Sequence, residues 1–301
     1  MNVNNVINGQ DMKKKFHGFD LNIPSLQVPK GFATALIGEN GAGKTTLLNI
    51  LAGIRLDYKG KLTYFDESHT LEDETVKDLI GYTGPGNYYL PNWTVSQVKT
   101  ISELLFENFS PKRFDALCEE LGISIHDRNM QNKKVTALSD GMRMKLMLAG
   151  VLARDTKLLI LDEPASPLDP LMRDKLCELI RDYLERGNGE TSVFFSTHNI
   201  SDMENVTDYA IIMEHGTIVE QGFVEDLKEK YILVKGEKED IAAAKKILYS
   251  CSVNQYGFEG ICLASNMDQL AGMDVSFETP SLSQISIAVM KANTKLQMKF
   301  A

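Results

Sequence analysis

The chain has 301 residues, 43% of them hydrophobic and 24% charged, with a mean hydropathy of −0.17. That composition supports a packed core and excludes intrinsic disorder, and the length predicts one large domain of roughly 200–230 residues plus an appendage. With 32 Lys+Arg against 41 Asp+Glu the net charge is −9, the wrong sign for coating phosphate backbones, so nucleic acid is not an expected partner.

The longest nearly apolar stretch, Leu146–Ala153, is broken by Gly150 and falls far short of the ~20 residues of a membrane span. The first thirty residues hold Asp11, Lys13, Lys14, Lys15 and Asp20 with no apolar signal core, which predicts a chain that stays in the cytosol. Cys118, Cys177, Cys251 and Cys262 form no CxxC pair, a pattern of reduced thiols rather than a disulfide frame or zinc site.

The first strong element is a strand at Ala33–Ile37, and it runs into Gly38-Glu39-Asn40-Gly41-Ala42-Gly43-Lys44-Thr45-Thr46 ahead of a helical run. This fits GxxxxGK[ST] in the strand-to-helix context that the pattern needs. Its glycines let the backbone close around phosphate, so that N–H groups and a helix N-terminus face negative charge. Lys44 is then placed to reach the β- and γ-phosphates of a nucleotide, and the Thr45 hydroxyl to reach Mg²⁺.

A mostly helical stretch follows, Val95–Glu120 and then Gly141–Ala153, broken by Pro111 and the polar Asp127–Lys134 segment. It reads as an inserted helical subdomain over about residues 87–155. Its second half opens at Leu138-Ser139-Asp140-Gly141-Met142, a serine-led helix start. The strand Leu158–Leu161 ends in Asp162-Glu163; an acid at the strand tip can hold Mg²⁺, and its neighbour can polarise a water for attack on the γ-phosphate. A third strand, Val193–Ser196, ends at Thr197-His198.

Alternating short strands and longer helices predict an α/β fold with a mainly parallel sheet, which binds ligands beyond the carboxyl ends of its strands. After Leu227 the pattern changes to strand-like Tyr231–Val234, helix-like Asp240–Tyr249, strand-like Gly260–Ala264 and Asp274–Phe277, and helix-like Ser281–Ala292. Residues 228–301 therefore read as a small separate α+β domain, with Lys228–Lys230 as the boundary.

Leu138–Met142, with Ser139 standing 23 residues before Asp162, resembles the LSGGQ signature of ABC ATPases. Asp140 and Met142 replace the first Gly and the Gln of that motif. Ser166-Pro167-Leu168-Asp169 resembles the family's D-loop, and Ser196-Thr197-His198, whose histidine lies 36 residues beyond Asp162, resembles its H-loop. The resemblance to ABC nucleotide-binding domains runs over about residues 3–227.

It implies a P-loop ABC-type ATPase domain in which two subunits face head to tail, as a homodimer or heterodimer, with each ATP between one phosphate loop and the other subunit's signature. Carried over by position, Gly38 to Thr46 cradle the triphosphate, Thr45 and Asp162 hold Mg²⁺, Glu163 is the general base and His198 senses the γ-phosphate. Phe16 would stack on adenine, with Phe19 its rival. The partner implied is a separate membrane-spanning permease, which places the chain on the cytoplasmic face of the membrane. The Met142, Met144, Met147 helix, the run from Ser196 to Glu204 and the short tail look like ATPases of bacterial exporters of drugs, peptides or cell-wall-active compounds.

A further departure from the family is visible. Gly84 or Pro85 falls where members carry a glutamine that helps coordinate Mg²⁺ and couples nucleotide to the membrane partner, and Gln97 lies too far along to replace it, which leaves Asn87. A non-hydrolysing, nucleotide-gated regulator without transport is therefore the alternative. A single phosphate loop and no long insert before the signature count against translation and DNA-repair members, and a P-loop kinase would explain neither signature nor His198. Gly84, Gly86, Tyr88, Tyr89 and Trp93 suit a packing surface for the permease.

Overall fold

The computed structural model describes residues 4–65, 69–85 and 89–300. The chain begins β1 (Asn5–Phe16), β2 (Phe19–Pro29), β3 (Ala33–Ile37), α1 (Lys44–Leu51), β4 (Lys59–Tyr64), α2 (Glu74–Asp78) and β5 (Ile80–Thr83). A helical segment follows: α3 (Val95–Leu105), α4 (Pro111–Glu120), α5 (Arg128–Gln131) and α6 (Asp140–Leu152). The chain then returns through β6 (Leu158–Leu161), α7 (Pro170–Gly187), β7 (Ser192–Thr197), β8 (Tyr209–Glu214) and β9 (Thr217–Phe223). It ends with α8 (Val224–Lys230), β10 (Tyr231–Gly236), α9 (Ile241–Ala244), β11 (Ser250–Val253), β12 (Phe258–Leu263), β13 (Val275–Glu278) and α10 (Leu282–Phe300).

The central sheet has the order β5-β6-β7-β3-β8-β9. Its first five strands are parallel, and β9 is antiparallel to β8. Its strands are short apolar runs because both faces are covered, and their side chains alternate between two cores with the period of two that a pleated strand imposes. Leu159, Leu161, Val193 and Phe195 join the core shared with the helical segment and α7. Leu158, Ile160 and Phe194 join the core shared with α1 and a three-stranded antiparallel sheet, β2-β1-β4.

That antiparallel sheet departs from the expectation of one mainly parallel sheet. The Lys13–Lys15 run at the end of β1 masks its alternation in sequence, but the hairpin with β2 puts Met12, Leu21, Ile23 and Leu26 fully inside.

Local chemistry sets the helix boundaries. Thr94 and Gln97 form a reciprocal capping box at α3, which accounts for Gln97. Asp169 caps α7 ahead of Pro170, and Asn188 closes it in the left-handed conformation. The Asp240–Tyr249 stretch is not one helix: α9 spans only four residues, because the Tyr249 amide is drawn to the Ile261 carbonyl at 2.8 Å, where β11 begins pairing with β12.

The C-terminal region forms a four-stranded antiparallel sheet, β11-β12-β10-β13. It has a small core of its own around Val234, Leu248, Phe258 and Cys262, while Leu233, Ile261 and the α10 residues Leu282, Ile285 and Val289 join the large core instead. Helix α10 thus lies back on β8. Its Asn293 and Thr294 side chains donate to the two carboxylate oxygens of the buried Glu214 at 2.7 and 2.6 Å. Among the described residues no helix is long and apolar enough to cross a membrane.

Candidate functional site

Parallel pairing brings the ends of β5, β6, β7, β3 and β8 to one edge of the central sheet, and most of the predicted residues gather there. Gly38 follows β3; a Cβ at this position would stand 2.4 Å from the Met213 carbonyl, so only glycine lets the loop turn against β8. Gly43 has φ +104° and precedes α1. Any side chain there would also strike the Phe19 ring at 2.6 Å, so two constraints require glycine. No side chain caps α1 and no acid lies in its first turn, which leaves its N–H groups and dipole open to an anion.

Lys44 is 6% exposed. Its Nζ donates to the Gly38 and Glu39 carbonyls at 2.8 and 3.2 Å and pairs with Glu163 Oε1 at 3.2 Å. The lysine is therefore already folded back over the loop it must serve.

Asp162 is fully buried at the tip of β6. The Ser196 hydroxyl donates to its Oδ1 at 2.5 Å and accepts the Glu163 N–H at 2.9 Å. Asp162 Oδ2 has no hydrogen-bond partner. Burial pushes this carboxyl above the usual range, against the opposing pull of the Ser196 and Thr45 hydroxyls. A buried carboxylate oxygen without a partner beside a threonine hydroxyl suits a hard cation that takes its remaining ligands from phosphate and water. No cluster of three His, Cys, Asp or Glu side chains that could hold a metal ion occurs among the described residues.

Glu163 sits at φ +51°, a strained conformation for a residue with a side chain. Its Oε1 faces Lys44 and its Oε2 lies 2.7 Å from His198 Nδ1. A continuous chain, Lys44–Glu163–His198, therefore spans the ends of three segments far apart in sequence.

Asn40, Asp140, Glu163, Ser166 and His198 line one cleft of about 370 Å³ together with Gly84 and Pro85. The glutamine position therefore borders the predicted base but carries no side-chain amide. Gly86, Asn87 and Tyr88 lie outside the described residues.

The signature residues hold their own segment together. Leu138 is buried, Ser139 accepts the Met142 amide as the cap of α6 at 3.3 Å, and Asp140 pairs with Arg143. Gly141 packs so closely that a Cβ would lie 2.8 Å from the Pro167 carbonyl. In the D-loop, the Ser166 amide donates to the Glu163 carbonyl, Leu168 is buried, and Asp169 accepts the Met172 amide. Met144 and Met147 are core residues.

The two aromatic candidates lie side by side, their ring centres 6.0 Å apart. Phe19 packs against Gly43, while Phe16 is 36% exposed, with the Arg55 guanidinium 5.1 Å and Lys14 Nζ 5.3 Å from its ring centre.

Residues that sequence reading did not assign are Ser196, Arg55, Tyr82 and Asn49. Ser196 stands inside the quoted Ser-Thr-His run, the one signal that could have marked it; the other three have no local signature.

The family model described as ABC transporter matches residues 21–166. An uncharacterized ABC transporter ATP-binding protein of Nostoc sp. is 32% identical over 263 residues, covering 82% of this chain and 76% of the relative. The Nod factor export ATP-binding protein I of Bradyrhizobium diazoefficiens is 28% identical, covering 69% of this chain and 67% of that protein. The thiamine import ATP-binding protein ThiQ of Haemophilus ducreyi is 30% identical, with 64% and 89% covered. Among solved structures, a dimeric ATP-binding cassette in a post-hydrolysis state with ADP and Pi superposes with a TM-score of 0.61 at 19% identity, covering 72% of this chain and 98% of the other. That last likeness is one of fold.

Proposed function

The chain belongs to the ABC transporter ATP-binding proteins, and from that membership we propose that it works as a dimer that powers a separate membrane-spanning permease from the cytoplasmic face. It binds ATP and is an ATPase. The observation that carries the mechanism is the Lys44–Glu163–His198 chain beside the buried Asp162.

In this reading Gly38 to Thr46 wrap the triphosphate and Lys44 exchanges the Gly38 and Glu39 carbonyls for the β- and γ-phosphates. That exchange frees Glu163 Oε1 to take a proton from the attacking water while His198 holds Oε2 in place. Thr45 and Asp162 would hold Mg²⁺, which neutralises charge on the phosphate oxygens. Ser139, Gly141 and the D-loop serve the partner subunit's nucleotide, and Phe16 stacks on adenine.

The proposed division at residues 227/228 is supported by the separate small core around Val234, Leu248, Phe258 and Cys262, although it falls within α8 and Leu233, Ile261 and α10 pack on the large core. The permease docks in a groove of about 320 Å³ between α3, α6 and β5, lined by Tyr89, Trp93, Ile54 and Leu105 among others. Ile54 and Leu105, 54% and 65% exposed, present apolar surface at this groove.

Export of drugs, peptides or cell-wall-active compounds is the proposed direction, supported by the run from Ser196 to Glu204 and the likeness to the Nod factor export protein. Deleting the gene is expected to raise susceptibility to such compounds; unchanged susceptibility overturns that part. The absent glutamine at Gly84 and Pro85 favours a second reading, a nucleotide-gated regulator.

One experiment separates the two: Mg·ATP hydrolysis by the purified chain across a concentration series, with Glu163→Gln beside it. A rate rising more steeply than linearly, and falling about 10²–10⁴-fold in the variant, supports a self-associating ATPase. Turnover indifferent to Glu163→Gln overturns the role of that residue.

A further inference from the structure

Gly84 and Pro85 cannot carry a signal through a side-chain amide, yet the nucleotide site and the groove meet at another place. Tyr82 lies two residues before Gly84 on β5 and lines the groove with Tyr89 and Trp93. Its hydroxyl donates to Asn49 Oδ1 at 2.8 Å. Asn49 belongs to α1, the helix whose first residue is Lys44.

Asn49 also anchors the turn that follows α1: its carbonyl accepts the Ile54 and Arg55 amides, each at 2.9 Å. Ile54 lines the same groove, and the Arg55 guanidinium covers Phe16. One residue on α1 thus connects Lys44, the aromatic platform and two groove residues.

We propose that Asn49 and Tyr82 are the positioning pair that couples nucleotide occupancy of the phosphate loop to the shape of the groove, in place of the missing glutamine. The physiological meaning rests on the groove being the permease dock; the coupling itself does not.

The mechanics follow from packing. Helix α1 is two turns long, and Leu47, Leu48, Ile50 and Leu51 are fully buried, so it moves as a rigid body rather than bending. Nucleotide draws Lys44 Nζ away from the Gly38 and Glu39 carbonyls, so displacement enters at the N-terminus of α1. At the other end it reaches Tyr82 through a partly buried hydrogen bond, and Ile54 through the backbone.

The chain has a single tryptophan, Trp93, and it lies in the groove, which makes the coupling readable without a permease. The full chain is titrated with Mg²⁺ and a non-hydrolysable ATP analogue. Trp93 emission reports the groove, and calorimetry separately reports binding. Wild type is expected to bind and to shift its emission, and Lys44→Ala to lose both.

Tyr82→Phe keeps the ring and removes only the donor. It is expected to bind within about fivefold of wild type, since one hydrogen bond is at stake, to keep the basal ATPase rate, and to lose most of the Trp93 response. Asn49→Ala should behave alike, and the double variant no worse than either single one, because both remove the same bond. A silent Trp93 in binding-competent wild type, a full response in Tyr82→Phe, or additive losses in the double variant would each overturn the proposal. Absence of binding in calorimetry is a separate outcome that defeats the functional reading itself, and the proposal with it.

Discussion

Ser196→Ala removes one oxygen from the interior of the site, and its effect can be worked out from two contacts. The hydroxyl donates to the fully buried Asp162 carboxylate and accepts the Glu163 amide. Losing a hydrogen bond to a charged group costs about 1.5–3 kcal/mol, and stranding a buried amide about 1–3 kcal/mol. Asp162 Oδ2 is already without a partner, so little else can compensate in the nucleotide-free protein.

Together the two losses predict roughly 3–5 kcal/mol of destabilisation. At about 2–4 °C per kcal/mol for a domain of this size, the thermal midpoint should fall by roughly 6–20 °C. The same bond holds Glu163 at φ +51°, so kcat should fall by at least about tenfold as the carboxylate loses its position. Mg·nucleotide should restore part of the midpoint, because a ligand that binds only the folded state stabilises it.

Ser192, buried at the other end of β7, serves as the control. It accepts one neutral hydrogen bond, from the Gly31 amide at 2.9 Å, so Ser192→Ala should cost only about 1 kcal/mol with kcat unchanged. Calorimetric scans of both variants with and without nucleotide decide the matter. Equal midpoints for the two, or a drop below about 2 °C in Ser196→Ala, would refute the reasoning.

Asn293→Ala combined with Thr294→Val leaves the Glu214 carboxylate, in a residue 7% exposed, without its two donors, and should lower stability by about 3 kcal/mol in urea titration. A loss under about 0.5 kcal/mol would mean that α10 is not held there. Gly141→Ala must displace the Pro167 carbonyl and should slow hydrolysis about tenfold or more while leaving ATP affinity intact; unchanged turnover would show the close approach to be dispensable. Phe16→Ala should weaken ATP binding by roughly tenfold through lost stacking, whereas Phe19→Ala should chiefly lower the thermal midpoint.

Burial pushes the Cys118 thiol up to about 12 and the Cys177 thiol up to about 11. The folded state therefore retains protons that the unfolded state releases from about 9.0 upward. That contribution to stability is complete below pH 9 and is lost as pH rises toward the folded values. Neither thiol should take up a maleimide at pH 7 to 9 unless denaturant is present, as mass spectrometry would reveal; native-state labelling as fast as labelling in denaturant would contradict the burial.

Features carried by short runs of chain were legible in the sequence. Strands β3, β6 and β7, the phosphate loop, the acids at the tip of β6 and the serine cap of α6 each lie within four to nine consecutive residues, where alternation, glycine placement and capping act locally. Their order and spacing were enough to name the family and to propose a site. Other features depend on partners that spacing cannot reveal. Ser196 meets Asp162 only because β6 and β7 lie side by side in register, and Tyr82 meets Asn49 across 33 residues.

The hairpin β1–β2 hid behind a lysine run, the Asp240–Tyr249 helix gave way to strand pairing with Ile261, and α10 packs both on the small sheet beside Ile261 and on the large core, where it meets the buried Glu214. In each case local preference was outweighed by apolar burial and hydrogen bonds to distant segments, interactions that exist only once the chain has closed on itself. Short runs of chain carry the phosphate-loop pattern and the acids at the strand tip; only the closed fold sets Ser196 against Asp162 and Tyr82 against Asn49, because those hydrogen bonds join segments 34 and 33 residues apart.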